Sequence, residues 1–364
     1  MNKKRTLIAL ITGALLLILL LYIFFLRKLV ESAYLGETSP IVNTFIEIFY
    51  PRFFIERHRF PLDFFLSRTD QIIFRLFFIS AILLSGWYLI SVKEDIKTGF
   101  IKFWNRNIHT GHTGILRILY FSLLIIIFHD IYQDLMRLET AKIFYKPVWI
   151  YKLLNIPFPS EEGILIICIL FFLSSLLAVF NKLPLISSSI AALLFIIIQG
   201  VIFSFEKFDH GFATFTYAGM LMPFLLYERK IASKKGSEVQ QGWPLVLIAV
   251  CICLSYLYSG LEKIFISNWD WINGNSLKSH LVAHGITAGK FIADNRTLLI
   301  IFSNLTLLIQ IGFISILFRE KLKYVFIPAG ILFHLSTYFF LGVGGFLNPW
   351  ILTYIFFLKW KDLK

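Results

Sequence analysis

The stretch WPLVLIAVCICLSYLYSGLEKIFI, Trp243 to Ile266, carries no charge before Glu262 and Lys263. Wound as a helix at about 1.5 Å per residue, an apolar run of this length matches the roughly 30 Å hydrocarbon core of a bilayer. Its reading decides the fold: a transmembrane α-helix. Lys263 then lies about 30 Å of helix rise beyond Trp243, near the far membrane boundary. Two readings of that amine stand side by side. It can snorkel, laying its stem along apolar surface and lifting the ammonium into the headgroups. Alternatively it can be shielded from water, where a lysine amine loses basicity and becomes able to act as a general base. Ser259 and Gly260, one turn earlier, offer a small surface for close approach of a helix or ligand. Glu262 points about 100° away from Lys263 and is not automatically its partner.

The rest of the chain has the same character. Of 364 residues 57% are hydrophobic and 16% charged, which places the protein among all-α, polytopic membrane bundles. Forty phenylalanines suit lipid-facing helices, and no alternating pattern of the kind a membrane barrel needs is present. About ten spans are predicted: Thr6 to Leu26, Gln71 to Val92, Gly114 to Leu135, Gly163 to Phe180, Leu185 to Phe205, Gly211 to Tyr227, Trp243 to Ile266, Thr297 to Phe318, Tyr324 to Leu341 and Pro349 to Leu358. The first follows Met1-Asn-Lys-Lys-Arg5, is too long for a signal-peptide core and lacks a small-x-small cleavage site, so it is expected to be retained. Cys168, Cys251 and Cys253 lie within apolar runs and read as small buried hydrophobes.

The formal charge of +13 is read through topology and not as a nucleic-acid footprint. With ten spans and a cytoplasmic amino terminus, both termini are cytoplasmic. The segments Lys93 to Thr113, Asn181 to Pro184, Glu228 to Gly242 and Arg319 to Lys323 then face the same side and carry the lysine and arginine excess of the positive-inside rule. The expected location is a bacterial inner membrane. Arg27 to Asp70 runs against this pattern, being basic on the outer side, and reads as an interfacial amphipathic segment in which Phe45, Ile48, Phe49, Phe53 and Phe54 recur at helical spacing. The outer side receives Met136 to Glu162, Glu206 to His210, Ser267 to Arg296 and Gly342 to Asn348.

Polar groups within or beside spans are costly in a bilayer and mark candidate sites. His129, Asp130, Gln133 and Asp134 share faces of one helix end, as a solvated surface or a site. Asp209 and His210 form a tight polar turn opening a span, where a neutral imidazole can donate from one nitrogen and accept at the other. His280 and His284 are four apart, but no third ligand is spaced to complete a metal site. His334 is about 15 Å deep in its span and should face the bundle interior with a partner. Gln199, Asn304 and Gln310 are expected to make interhelical hydrogen bonds. The phosphate loop, the dinucleotide glycine fingerprint, the zinc-protease helix and the nucleophile elbow are all missing.

From Gly114 to Lys361 the chain resembles the horizontally transferred transmembrane (HTTM) domain, the membrane half of vitamin K-dependent gamma-carboxylase-like proteins. The resemblance runs through Leu116-Arg117-Ile-Leu-Tyr120, Pro157-Phe-Pro159, Asp209-His210, Ser259-Gly260-Leu-Glu-Lys263, Trp271-Ile-Asn-Gly274 and Phe333-His334. It implies that residues 114–364 are the HTTM domain and that residues 1–113 are an extension with two spans. It further implies that Lys263 is the base deprotonating a reduced quinone and His210 its helper. Asp209, Ser259, Gly260, Trp271 and His334 then line the substrate. In the carboxylases the oxygenated quinol abstracts a proton from a glutamate side chain, which takes up CO2. This chain has Glu262-Lys263 where the carboxylases have two lysines, and about three more residues before Trp271. It stops soon after the last span, so the domain that grips a protein substrate is expected to be absent. The implied partners are membrane lipids, a quinol and CO2. The competing class is a non-catalytic lipid-binding, export-related or immunity component of the membrane, since a fold does not by itself dictate a function.

Overall fold

The computed structural model describes residues 3–50, 53–205, 211–267, 269–345 and 347–358. The predicted site residues Asp209 and His210, and the basic tail Lys359, Lys361 and Lys364, lie outside them. The chain forms two compact units: residues 1–104 with 147–157, and residues 105–146 with 158–364.

In unit 1, helix α1 (Lys3–Leu21) continues through a π-helical turn, Tyr22–Leu26, into α2 (Arg27–Leu35). The continuous helix ends where Gly36 takes a φ of 82°, a left-handed value that glycine adopts without penalty. Helix α3 (Pro40–Phe49) begins on a proline, whose missing N–H costs nothing in a first turn, and α4 (Leu62–Val92) and α5 (Glu94–Trp104) complete the long elements. The segment expected to be interfacial is divided between core and surface. Phe53 is buried in a cluster with Val30, Ala33, Ile46 and Phe65, whereas Phe45 is exposed. Arg57 lies 5.4 Å from the Phe54 ring and donates to the Ala33 carbonyl, and Lys152 of the short helix Trp149–Leu153 ion-pairs with Glu47 of α3.

Unit 2 contains helices α6 (Thr110–Thr140), α7 (Glu161–Val179), α8 (Pro184–Phe203), α9 (Ala213–Lys234), α10 (Trp243–Ser267), α11 (Arg296–Gly312) and α12 (Lys323–Leu341). Each packs on its neighbour in sequence, and α9 also returns to α6. Local chemistry sets several starts. Ser160 Oγ accepts from the Gly163 N–H to cap α7, Pro184 opens α8, and Asn295 Oδ1 caps α11 through the Leu298 N–H. On α7 the residues Cys168, Phe171, Ser175 and Ala178 face the bundle, while Leu165, Ile166, Ile169, Leu170 and Leu173 are exposed. An exposed aliphatic face of this extent suits lipid and not water.

Among the described residues, eight helices are long and apolar enough to cross a membrane. They coincide with eight of the ten predicted spans. The predicted span Gly211 to Tyr227 starts two residues ahead of α9, which goes on into Glu228, Arg229, Lys230 and Lys234; its apolar part is shorter than the hydrocarbon core. Pro349 to Leu358 breaks into a four-residue helix, Pro349–Leu352, and a 3-10 turn, Thr353–Phe357.

The connectors sort to two ends of unit 2. Strand β1 (Asn107–His109), just before α6, pairs antiparallel with β2 (Val239–Gln241), just before α10. Near that ribbon, Arg117 of α6 donates from Nη1 to the carbonyls of Ala178 and Val179 at the end of α7, and Lys323 at the start of α12 lies within electrostatic range of His112. All four connectors predicted to be cytoplasmic therefore have unit 2 residues at one end. At the other, Tyr145, Phe158 and Phe205 pack ring to ring, and the Ile286 N–H donates to the Phe340 carbonyl.

Candidate functional site

The site candidate grows from one face of α10. Tyr256, Ser259, Gly260 and Lys263 recur at helical spacing, so they form a stripe about 10 Å long. Gly260 is buried where α10 meets α11: a Cβ there would stand 2.7 Å from Ile311 Cγ1 and 3.1 Å from Gln310 Cβ. The close approach anticipated at Ser259-Gly260 is thus made by a helix.

Lys263 is half-buried. Its Nζ turns back along the helix, donating to Ser259 Oγ at 3.1 Å and to the Ser259 carbonyl at 3.4 Å. It also rests 5.1 Å from the centre of the Trp271 ring, within cation–π range. Trp271 is rigidly presented. Its indole N–H donates to the Ser303 carbonyl at 3.2 Å, and Ser303 Oγ donates back to the Trp271 carbonyl, so the short helix Trp269–Ile272 is pinned to α11. Asn304 Nδ2 adds a bond to the Ile272 carbonyl at 2.9 Å. Gly274 closes the segment with a φ of 78°, and a Cβ there would strike the Leu299 backbone at 2.9 Å. The Trp271-x-x-Gly274 spacing has a structural basis: the aromatic faces the lysine and the glycine lets the chain turn against α11.

Two turns deeper on the same stripe, Tyr256 hydroxyl meets His334 Nε2 and the Tyr354 hydroxyl. His334 is buried and stacks on Trp350 with centroids 5.9 Å apart, and Tyr256 stacks on Phe313 at 4.3 Å. Gly330 makes room for Tyr354, whose hydroxyl a Cβ at 330 would overlap. This is a hydrogen-bonded aromatic core able to hold a proton between phenols and imidazole. His334 joins it through Tyr256, and its distance from Lys263 is set by two turns of α10.

The other predicted polar groups scatter. His129 and Gln133 hydrogen-bond to each other at 2.8 Å and Asp134 pairs with Arg137 at 3.6 Å, all on an exposed surface of α6. His280 is exposed with its ring 6.3 Å from Trp271, and His284 is exposed at the end of the helix Asn275–His284. Asn304 has the hydrogen bond expected of it; Gln199 Nε2 and Gln310 Oε1 are buried without a partner among the described residues. The three cysteines are free, Cys168 and Cys253 buried and Cys251 partly so. Sequence reasoning passed over Tyr256, Tyr354 and Ser303. Tyr256 was legible, seven residues before Lys263 on the same helical face. Tyr354 and Ser303 were not, because only the packing of distant segments makes them partners.

Comparison with protein-family models, with curated proteins and with solved structures returned no match.

Proposed function

We propose that this chain is an integral membrane protein of the HTTM, gamma-carboxylase-like type, binding a reduced quinone or a lipid of similar amphipathic build beside Lys263 and Trp271, with Lys263 as proton acceptor. The observation that carries the reading is the posture of Lys263, whose ammonium is folded back onto Ser259 and laid over a fixed indole. A snorkelling lysine would extend along its stem toward water. An amine held over a fixed indole offers a quinol an acceptor for its hydroxyl proton at a set position. His210 would assist, and Ser259, Asp209 and the His334 cluster would line the approach. The orientation that goes with this reading places the ribbon end of unit 2 and both termini in the cytoplasm of a bacterium and the Lys263 end outside.

The second reading, a non-catalytic lipid-binding, export-related or immunity component, is favoured by Gly260, whose small surface is occupied by α11. One experiment separates the two. Protein purified in mild detergent is analysed by mass spectrometry for bound quinones and lipids, then assayed in nanodiscs for oxygen-dependent consumption of quinol. The enzyme reading expects a co-purifying quinone, turnover by the wild type, and a loss of about 10²- to 10⁴-fold in Lys263→Ala, the usual worth of a general base. A wild type that neither binds nor consumes quinol leaves the non-catalytic reading.

A further inference from the structure

At the ribbon end, unit 2 brings two arginines, Arg117 and Arg229, close together. Thr113 and Arg117 are four residues apart and share a face of α6. Between them, Gly114 lets the Arg229 guanidinium of α9 lie against the helix, for a Cβ at 114 would stand 3.2 to 3.3 Å from three of its atoms. Arg229 is half-buried, and Arg117 is only 5% exposed. The two guanidiniums are close enough for their charges to repel. Arg117 commits Nη1 to the end of α7, but its buried Nε has no partner among the described residues, and the same is true of Thr113 Oγ1. Lys323 adds to the cationic surroundings, and its charge is felt at His112. Acids of this end have other partners: Glu320 pairs with Lys323 at 3.1 Å, Glu238 with His109 at 3.3 Å, and Glu228 accepts from the Trp243 indole at 3.0 Å.

Two arginines forced together, with a buried N–H and a hydroxyl left over, form an incomplete anion site. Guanidinium forks match phosphate oxygens, and basic pockets between membrane helices hold anionic headgroups. We propose that the junction of α6, α7 and α9 binds a phosphate-bearing anion, held by Arg229 and Arg117 Nε with Thr113 Oγ1 as a third contact. A phospholipid headgroup and free phosphate share that chemistry. The site is separate from Lys263 and does not depend on the quinol reading.

The test uses full-length protein in detergent, with phosphatidylglycerol, phosphatidylcholine and inorganic phosphate as probes, read by native mass spectrometry and thermal unfolding. Retained phosphatidylglycerol adducts that raise the melting temperature, with phosphatidylcholine bound more weakly, support a lipid source. Stabilisation by millimolar inorganic phosphate alone, without lipid adducts, supports the free anion. In either case Arg229→Gln is expected to weaken binding about ten-fold or more, the value of a charge-assisted hydrogen bond. Gly114→Ala keeps every charge but displaces Arg229, so it separates site geometry from net charge and is expected to weaken binding as well. Binding unchanged in both variants, or phosphatidylcholine held as tightly as phosphatidylglycerol with no effect of phosphate, overturns the proposal.

Discussion

The two ends of unit 2 each place a cation inside a long apolar helix, and they accommodate it in opposite ways. Arg117, near the ribbon, reaches across to another helix and donates to the terminal carbonyls of Ala178, which also accepts from the Asn181 N–H, and of Val179. Lys263, at the far end, donates within its own helix to Ser259 and rests on the face of Trp271. The first arrangement fastens two helices together. The second fastens no second helix by a hydrogen bond of the amine itself, whose donors stay within its own turn. The difference teaches that depth and charge alone do not identify a functional cation; what the cation is bonded to does.

Exchanging the two cation types is the sharpest way to break this comparison. Lys263→Arg should abolish quinol consumption nearly as completely as Lys263→Ala, by about 10²-fold or more, because a guanidinium stays protonated and cannot accept a proton. Its melting temperature should stay near wild type. Wild-type turnover in Lys263→Arg would remove the base role. Arg117→Met should do the reverse, costing about 1 to 3 kcal/mol of stability by removing the donor to the Val179 carbonyl and one of those to Ala178, while turnover per folded molecule is retained. Chemical denaturation and the quinol assay on the same samples check both halves.

Smaller changes probe how the Lys263 end is built. Gly260→Val is expected to cost about 1 to 3 kcal/mol, since its side chain must push Ile311 and Gln310 aside in a packed helix contact. Trp271→Leu should lose the cation–π contact and the indole bond to Ser303, about 1 to 2 kcal/mol in all. If the indole is also the stacking surface, it should raise the KM for quinol more than it lowers kcat. An unchanged KM would confine Trp271 to holding the chain against α11. The arrangement of ends is checked without any energetic effect: single cysteines at Ser237 and Asn275, both exposed, should label from opposite sides of the membrane. Labelling from one side would dissolve the contrast between the two ends.

Much of this protein was determined by the sequence alone, because a bilayer reduces the fold to a question of run length. Continuous apolar stretches such as Trp243 to Ile266 have to be helices, since within lipid only helices and closed barrels satisfy the backbone and a barrel strand would alternate. Their number was less legible. The window Gly211 to Tyr227 looks apolar, yet α9 runs past it into a basic turn, and Pro349 to Leu358 bends because its hydrogen bonds shift to a 3-10 pattern. Lys263, Ser259 and Trp271 could be singled out as chemically expensive or unusual groups. What only the tertiary structure decided is who meets whom: Gly260 against Ile311, Tyr256 with His334 and Tyr354, Arg229 over Gly114. Those pairs are separated by 51 to 115 residues, as the numbers themselves give, and no local periodicity encodes them. Helix formation depends on residues within a turn of one another, whereas a site is assembled by side-chain packing between helices, where shape decides the neighbour.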